Sequence, residues 1–257
     1  MILKRLAIAI AYVTAIPIGR LINLEVDWQL RGLGKYLPWV GLLVGLILVA
    51  FNAIIIQLSA AETLHGALIA VCWLALTGSI HMDGLMDTAD GIFSHQSRER
   101  MLEIMQDSRV GNFGVLSGVC LLLLKVVSLI TLAPHLNLVI PALVITPIAA
   151  RWAELYTIAS FPYARVEGKG QVWHDSTNAP LDLILGGLPL AAASIALMAF
   201  FPYQAILVPT GGALLVGTLA AHSLARKLGG HTGDSYGAVV ELAECGALLA
   251  TALILAR

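Results

Sequence analysis

Apolar runs of about twenty residues recur along the whole chain, separated by short polar stretches. Seven of them, at 37–58, 64–81, 113–133, 138–160, 181–201, 203–225 and 236–256, are each near the ~20 residues a helix needs to cross a bilayer. The connections between them alternate in character. Basic connections run from Arg20 to Lys35, from Arg98 to Arg109, from Arg165 to Lys169, and through Arg226-Lys227. The connections near 59–63, 134–137 and at Pro202 hold no lysine or arginine. Basic residues accumulate on the cytoplasmic side of membrane proteins, which places 20–36, 82–112, 161–180 and 226–235 inside and the C-terminus outside. The expected fold is all-α: a polytopic membrane helix bundle of about seven transmembrane helices, forming a single domain over 1–257.

The first apolar run breaks the alternation. Lys4 and Arg5 precede Leu6 to Ile18, and Arg20, Arg31 and Lys35 follow it. Both ends look cytoplasmic and the uninterrupted run is short, so it is expected to be a re-entrant or interfacial helix. No A-x-A-like cleavage site follows it, which argues against a signal peptide.

Composition agrees with a membrane protein. The chain is 58% hydrophobic and only 12% charged, where soluble domains carry about 25% charged residues. Mean hydropathy is +0.86. A net charge of -1 with no basic arm or stripe excludes a nucleic-acid partner. Cys72, Cys120 and Cys245 are scattered and form no CxxC pair, so neither a zinc site nor a disulfide framework is indicated. Gly41 and Gly45 form a GxxxG, which suits close helix packing within the chain and leaves a homo-oligomer open.

The most informative polar text is His81-Met82-Asp83-Gly84-Leu85-Met86-Asp87-Thr88-Ala89-Asp90-Gly91. Asp83, Asp87 and Asp90 stand at i, i+4 and i+7, on one face of a helix. Gly91 is expected to end that helix, so the three anions are expected at its unfavourable C-terminal end. A divalent cation is the simplest neutraliser, and Mg²⁺ suits carboxylates combined with substrate phosphates. Downstream, Ser97 is a candidate N-cap, and Asp107 is a candidate further metal ligand or base. Arg98 and Arg109 are candidate phosphate clamps, and His81 a candidate acid–base group. Lys125, Arg151 and Glu154 are charges inside predicted crossings, where a functional or paired role is the default. Arg151 and Glu154, at i,i+3, could form a local ion pair. The loop from Phe161 to Gly170 reads as either a lid or a connector. In Gly229-Gly230-His231-Thr232-Gly233-Asp234 the glycines allow backbone amides to approach an anion, and Asp234 is a candidate cap for the last crossing, which carries Glu241 and Glu244.

Three blocks together resemble one family. They are His81-x-Asp83-Gly84-Leu85-x-Asp87-Thr88-x-Asp90-Gly91, then Ser97-Arg98-x-Arg100-Met101-Leu102-Glu103-Ile104-Met105-x-Asp107-Ser108-Arg109-x-Gly111, then Gly229-Gly230-x-Thr232-Gly233-Asp234 with Gly237-Ala238 and Glu241. In order and spacing they resemble the cobalamin synthases, the adenosylcobinamide-GDP ribazoletransferases. The resemblance implies an inner-membrane, Mg²⁺-dependent enzyme with a cytoplasm-facing site. Such an enzyme joins adenosylcobinamide-GDP to α-ribazole or its 5′-phosphate and releases GMP. It implies that Asp83, Asp87, Asp90 and Asp107 hold the metal, and that Asp107 or His81 takes a proton from the 5′-oxygen of the ribazole ribose. Arg98, Arg109, Lys125, Arg151, Gly230, Asp234 and Glu241 are then the expected substrate-binding residues. The Asp-Gly-x-x-Asp-x-x-Asp-Gly text is also reminiscent of CDP-alcohol phosphotransferases, but lacks their Ala-Arg after the first Asp-Gly. Aromatic prenyltransferases share the aspartate-rich helix ends. A cation-coupled transporter would require inverted repeats, and no repeat is visible.

Overall fold

A computed structural model describes residues 2–21, 31–59 and 61–256, so residues 22–30 of the first basic connection lie outside the described residues. The helices are α1 (Ile2–Val13), α2 (Ile18–Leu21), α3 (Leu37–Gln57), α4 (Glu62–Leu76), α5 (Ile80–Phe93) and α6 (Arg98–Ile104). They continue with α7 (Asn112–Leu132), α8 (Leu136–Ser160), α9 (Lys169–Ser176), α10 (Ala179–Met198), α11 (Gln204–Leu228) and α12 (Gly233–Leu255). Among the described residues the only extended pairing is a single bridge between Tyr163 and His231.

Six helices, α3, α7, α8, α10, α11 and α12, are long and apolar enough to cross a membrane. Their outer faces expose Leu46, Ile54, Val119, Leu123, Ile184 and Leu215, a pattern that only lipid tolerates over so many turns. The protein is a multi-pass membrane protein. Its centre is α8: 78% of its spanning window is buried inside the protein, against 17% for α10. Gly41 and Gly45 of α3 lie directly on the α8 backbone, where a Cβ at Gly45 would come within 2.8 Å of the Leu143 carbonyl oxygen. The GxxxG is therefore occupied within the chain.

The predicted crossing at 64–81 is different. α4 stops at Leu76, the chain turns through Gly78 and Ser79 at φ of 60° and 58°, and α5 leaves at 87° to α4. A hydropathy average reads straight through such a left-handed turn, because it sees composition and not backbone. The consequence for the acidic text is a reversal. Asp83 sits in the first turn of α5, at the favourable positive end of the helix, and not at a C-terminus. Gly91 does not end the helix, which runs on to Phe93.

α1 has 12 residues, about 18 Å of helix, too short to cross a ~30 Å hydrocarbon core. It buries Ala7 to Ile10 and Val13, and its end is tied to the α4 break by the Ala15 N–H donating to the Leu76 carbonyl at 2.9 Å.

Candidate active site

The site forms where α5 crosses the start of α12. The crossing is close because Gly84 and Gly237 present no side chains to it. A Cβ at Gly84 would lie 2.5 Å from the Asp234 carbonyl oxygen, and one at Gly237 would lie 3.0 Å from the His81 backbone. α12 begins with a capping box. The Thr232 hydroxyl accepts from the Ser235 N–H at 3.3 Å, and the Ser235 hydroxyl accepts from the Thr232 N–H at 2.8 Å. Thr232 is thus the cap, where the sequence suggested Asp234. The Asp234 carboxylate, one turn in, pairs with Arg165 at 3.0 Å instead.

Arg165 reaches the site through a tie between two loops. Ala164 N–H donates to the His231 carbonyl at 2.8 Å, and His231 N–H donates to the Pro162 carbonyl at 2.9 Å. Gly230, at φ of 143°, makes this possible, since a Cβ there would collide with the Pro162 carbonyl. Gly230 therefore shapes the site through the backbone and lies behind it.

The result is a cavity of ≈ 340 Å³ with a graded lining. At its rim stand Asp83, which is exposed, and the partly exposed Asp234–Arg165 pair. At its floor lie His81, Glu154, Trp173 and Tyr236, each no more than 6% exposed. Asp87 follows Asp83 by one turn and interacts electrostatically with Asp83, Asp234, Asp90 and the Arg165 guanidinium.

Several expected site residues are committed elsewhere. Both Asp90 oxygens accept backbone bonds at 2.7 Å, from Gly111 and Gly114, so Asp90 caps the start of α7. Asp107 forms a surface fork with Arg109, at 2.6 and 3.0 Å, and does not line the cavity. The hydrogen bonds from Arg109 pull its carboxyl down to about 2, which makes it a weak base. Arg98 donates to the Leu228 carbonyl at 2.7 Å and caps the end of α11 in place of clamping phosphate. Lys125 bonds Glu241 and Glu244, each at 2.6 Å, and Arg151 bonds Glu244 at 2.9 Å. These four buried charges neutralise one another across α7, α8 and α12 and none lines the cavity. Arg151 takes Glu244 as its partner, not Glu154 on its own helix.

Sequence reading missed Arg165, Tyr12, Tyr163 and Trp173, which come to the cavity from a connector and two short helices. Arg165, Tyr163 and Trp173 stand outside the apolar runs, and Tyr12, inside the first of them, is an aromatic that does not stand out among apolar neighbours.

Among the described residues no three carboxylate, histidine or cysteine side chains converge closely enough to cage a metal ion. Mg²⁺ needs no cage, since it takes one or two carboxylates and completes its shell with water and substrate phosphate. Asp83, on the cavity lining, and Asp87, one turn further along α5 and outside the lining, could supply two such carboxylates, while Asp234 is paired with Arg165.

His231 holds the loop tie from inside. Its Nε2–H donates to the Ala221 carbonyl at 3.0 Å and its Nδ1 faces the Ser235 hydroxyl at 2.9 Å. Burial lowers its pKa to about 4, well below the ordinary 6.5. The unfolded chain therefore binds a proton that the folded chain refuses. Stability from this group is fully present above about pH 6.5 and is lost as pH falls towards 4. In thermal unfolding in detergent, the midpoint difference between wild type and His231→Gln is expected to shrink as pH falls from 7 to 5.

A multi-pass helix bundle with an acidic rim, a paired arginine and one enclosed polar cavity defines a class: an integral-membrane enzyme whose polar substrate enters from one end of the bundle. Within that class the chain belongs to the family described as cobalamin-5-phosphate synthase, whose profile matches residues 5–252. It is 39% identical over 244 residues to the adenosylcobinamide-GDP ribazoletransferase of Thermosynechococcus vestitus, covering 94% of this chain and 93% of that one. It is 37% identical over 249 residues to the ribazoletransferase of Desulfitobacterium hafniense, covering 94% of each. For that of Synechococcus elongatus the figures are 34% over 238 residues, 92% and 91%. No solved structure matches the chain.

Proposed function

We propose that the protein joins adenosylcobinamide-GDP to α-ribazole or its 5′-phosphate, releasing GMP and completing the nucleotide loop of adenosylcobalamin or its phosphate. The observation that carries this reading is the family match over residues 5–252. The rim of the cavity supports it, because carboxylates beside an arginine suit a diphosphate bridged by a cation.

In this reading Asp83 and Asp87 would hold the Mg²⁺ that accompanies the GDP diphosphate, and Asp234 holds Arg165 beside them. The ion, when bound, screens the charge that builds on the departing GMP phosphate. Arg165 supplies guanidinium donors to the same oxygens. Its Nε is buried and without a partner, while the Asp234 pair orients the fork. The family description names a 5-phosphate. That name supports an acceptor whose 5′-oxygen is already esterified, and in this reading the attacking oxygen is a ring hydroxyl of the ribose in place of the 5′-oxygen expected from the sequence.

The protein is placed in the cell inner membrane with the cavity opening to the cytoplasm. The basic residues Arg226 and Lys227, close to the α11–α12 connection at the cavity end, support that orientation. The family match favours neither a CDP-alcohol phosphotransferase nor a prenyltransferase. The mutual pairing of Lys125, Arg151, Glu241 and Glu244 leaves no open chain of charges for an ion-coupled transporter. Mass spectrometry of corrinoids after incubation of purified protein with Mg²⁺, adenosylcobinamide-GDP and α-ribazole tests the reading. Adenosylcobalamin and GMP are the expected products; unchanged donor in an intact preparation would refute it.

A further inference from the structure

The cavity floor carries three buried polar atoms that nothing in the protein satisfies: His81 Nδ1, Glu154 Oε2 and the Tyr236 hydroxyl. Leaving such an atom without a partner is costly, because it has given up its hydrogen bonds to water for none in return. Three around one cavity point to a ligand that completes them. Glu154 is the most exceptional. It lies on α8, one turn from Arg151, yet that cation is taken by Glu244. His81 Nε2 lies 3.9 Å from the Glu154 Oε1, beyond hydrogen-bond reach.

The rest of the floor is aromatic. Tyr12 and Trp173 lie with ring centroids 5.4 Å apart, and Tyr236 stacks on His231 at 5.7 Å. Among the described side chains that line the cavity the one lysine or arginine is Arg165, which stands at the rim with Asp234. At the floor a phosphate would meet the Glu154 carboxylate, which repels it. A flat, uncharged heteroaromatic base with a free hydroxyl finds ring faces and a carboxylate. Size gives the same answer, since ≈ 340 Å³ is near the small end of the ~300–1,000 Å³ typical of ligand pockets. It suits one nucleoside and excludes a corrin ring.

We propose that the floor is the acceptor subsite, with Tyr12 and Trp173 facing the base of the nucleoside and Glu154 receiving its attacking ribose hydroxyl. The assignment rests on the transfer reading above. In the step, the hydroxyl proton passes to the Glu154 carboxylate as the ribose oxygen bonds to the phosphorus that carries the cobinamide. The bond from that phosphorus to the GMP oxygen breaks, and the electron pair leaves on GMP. His81, beside Glu154, and the Tyr236 hydroxyl hold the ribose in place.

The test is steady-state kinetics of the purified full chain, with α-ribazole varied at saturating donor and then the reverse. Glu154→Gln keeps the shape and removes the proton acceptor. It is expected to lower kcat about 100-fold or more, leaving the KM for adenosylcobinamide-GDP unchanged. Glu154→Asp is expected to recover part of that loss. Tyr12→Ala and Trp173→Ala are expected to raise the KM for α-ribazole about 10-fold with the donor KM unchanged. Wild-type kcat in a folded Glu154→Gln protein would overturn the proposal, as would aromatic variants whose defect appears in the donor KM, which would give the floor to guanine. Failure of the wild-type protein to form product would instead refute the transfer reading itself.

Discussion

Asp83→Asn and Asp87→Asn are each expected to lower ribazole transfer by at least about 100-fold in protein that is no less stable than wild type. The second half of that expectation makes it diagnostic. Three carboxylates, Asp83, Asp234 and Asp90, act on Asp87, with Arg165 the cation that opposes them. Like charges at this density destabilise the folded chain. Asparagine is nearly isosteric and removes one of them. For Asp83→Asn the cost is loss of the favourable charge in the first turn of α5, about 0.3–1 kcal/mol. Relief of repulsion offsets that cost. Activity and stability therefore move in opposite directions, as they do where a site is strained for function. The measurements are initial rates of GMP release and thermal midpoints in detergent, both without and with added Mg²⁺. A large loss of stability in these variants would mean the aspartates serve the fold.

Lys125→Met is expected to behave in the opposite way, destabilising the protein by about 3–5 kcal/mol. Lys125 is 7% exposed and bonds both Glu241 and Glu244 at 2.6 Å. Its ammonium also lies 5.4 Å from the centre of the Trp73 ring, a cation–π contact. Removing the ammonium leaves two carboxylates one turn apart on α12 with only Arg151 to balance them. The double variant Lys125→Met with Glu241→Gln restores neutrality, because Arg151 keeps Glu244 at 2.9 Å. It is expected to recover more than half of the lost stability in a double-mutant cycle. Equal destabilisation in single and double variants would contradict the network described here.

The spans were legible in the sequence because lipid permits few solutions. Runs such as 138–160 must be helical, and the structure shifts their ends by only two or three residues. The break at Gly78-Ser79 was hidden inside an apolar average, so Asp83 was assigned to the wrong end of its helix. The acidic text itself stood out because carboxylates beside lipid demand compensation. Pairing was a different matter. Lys125, Arg151, Glu241 and Glu244 were visible as intramembrane charges, but Arg151 chooses Glu244 over a neighbour three residues away, and only helix packing decides that. Arg98 and Arg165 are both basic residues in polar connections, and sequence gives no reason to prefer either. The folded chain spends Arg98 on a helix end and sends Arg165 to the cavity.

The central claim is that the α5–α12 crossing captures a divalent ion together with a nucleoside diphosphate. Its most direct test is electron paramagnetic resonance of Mn²⁺ added in place of Mg²⁺ to the purified protein with GDP. Protein-bound Mn²⁺ with ³¹P hyperfine coupling, weakened in Asp83→Asn, is the predicted result. Mn²⁺ that binds equally well to the Asp83→Asn protein, or that shows no phosphorus coupling, would contradict it.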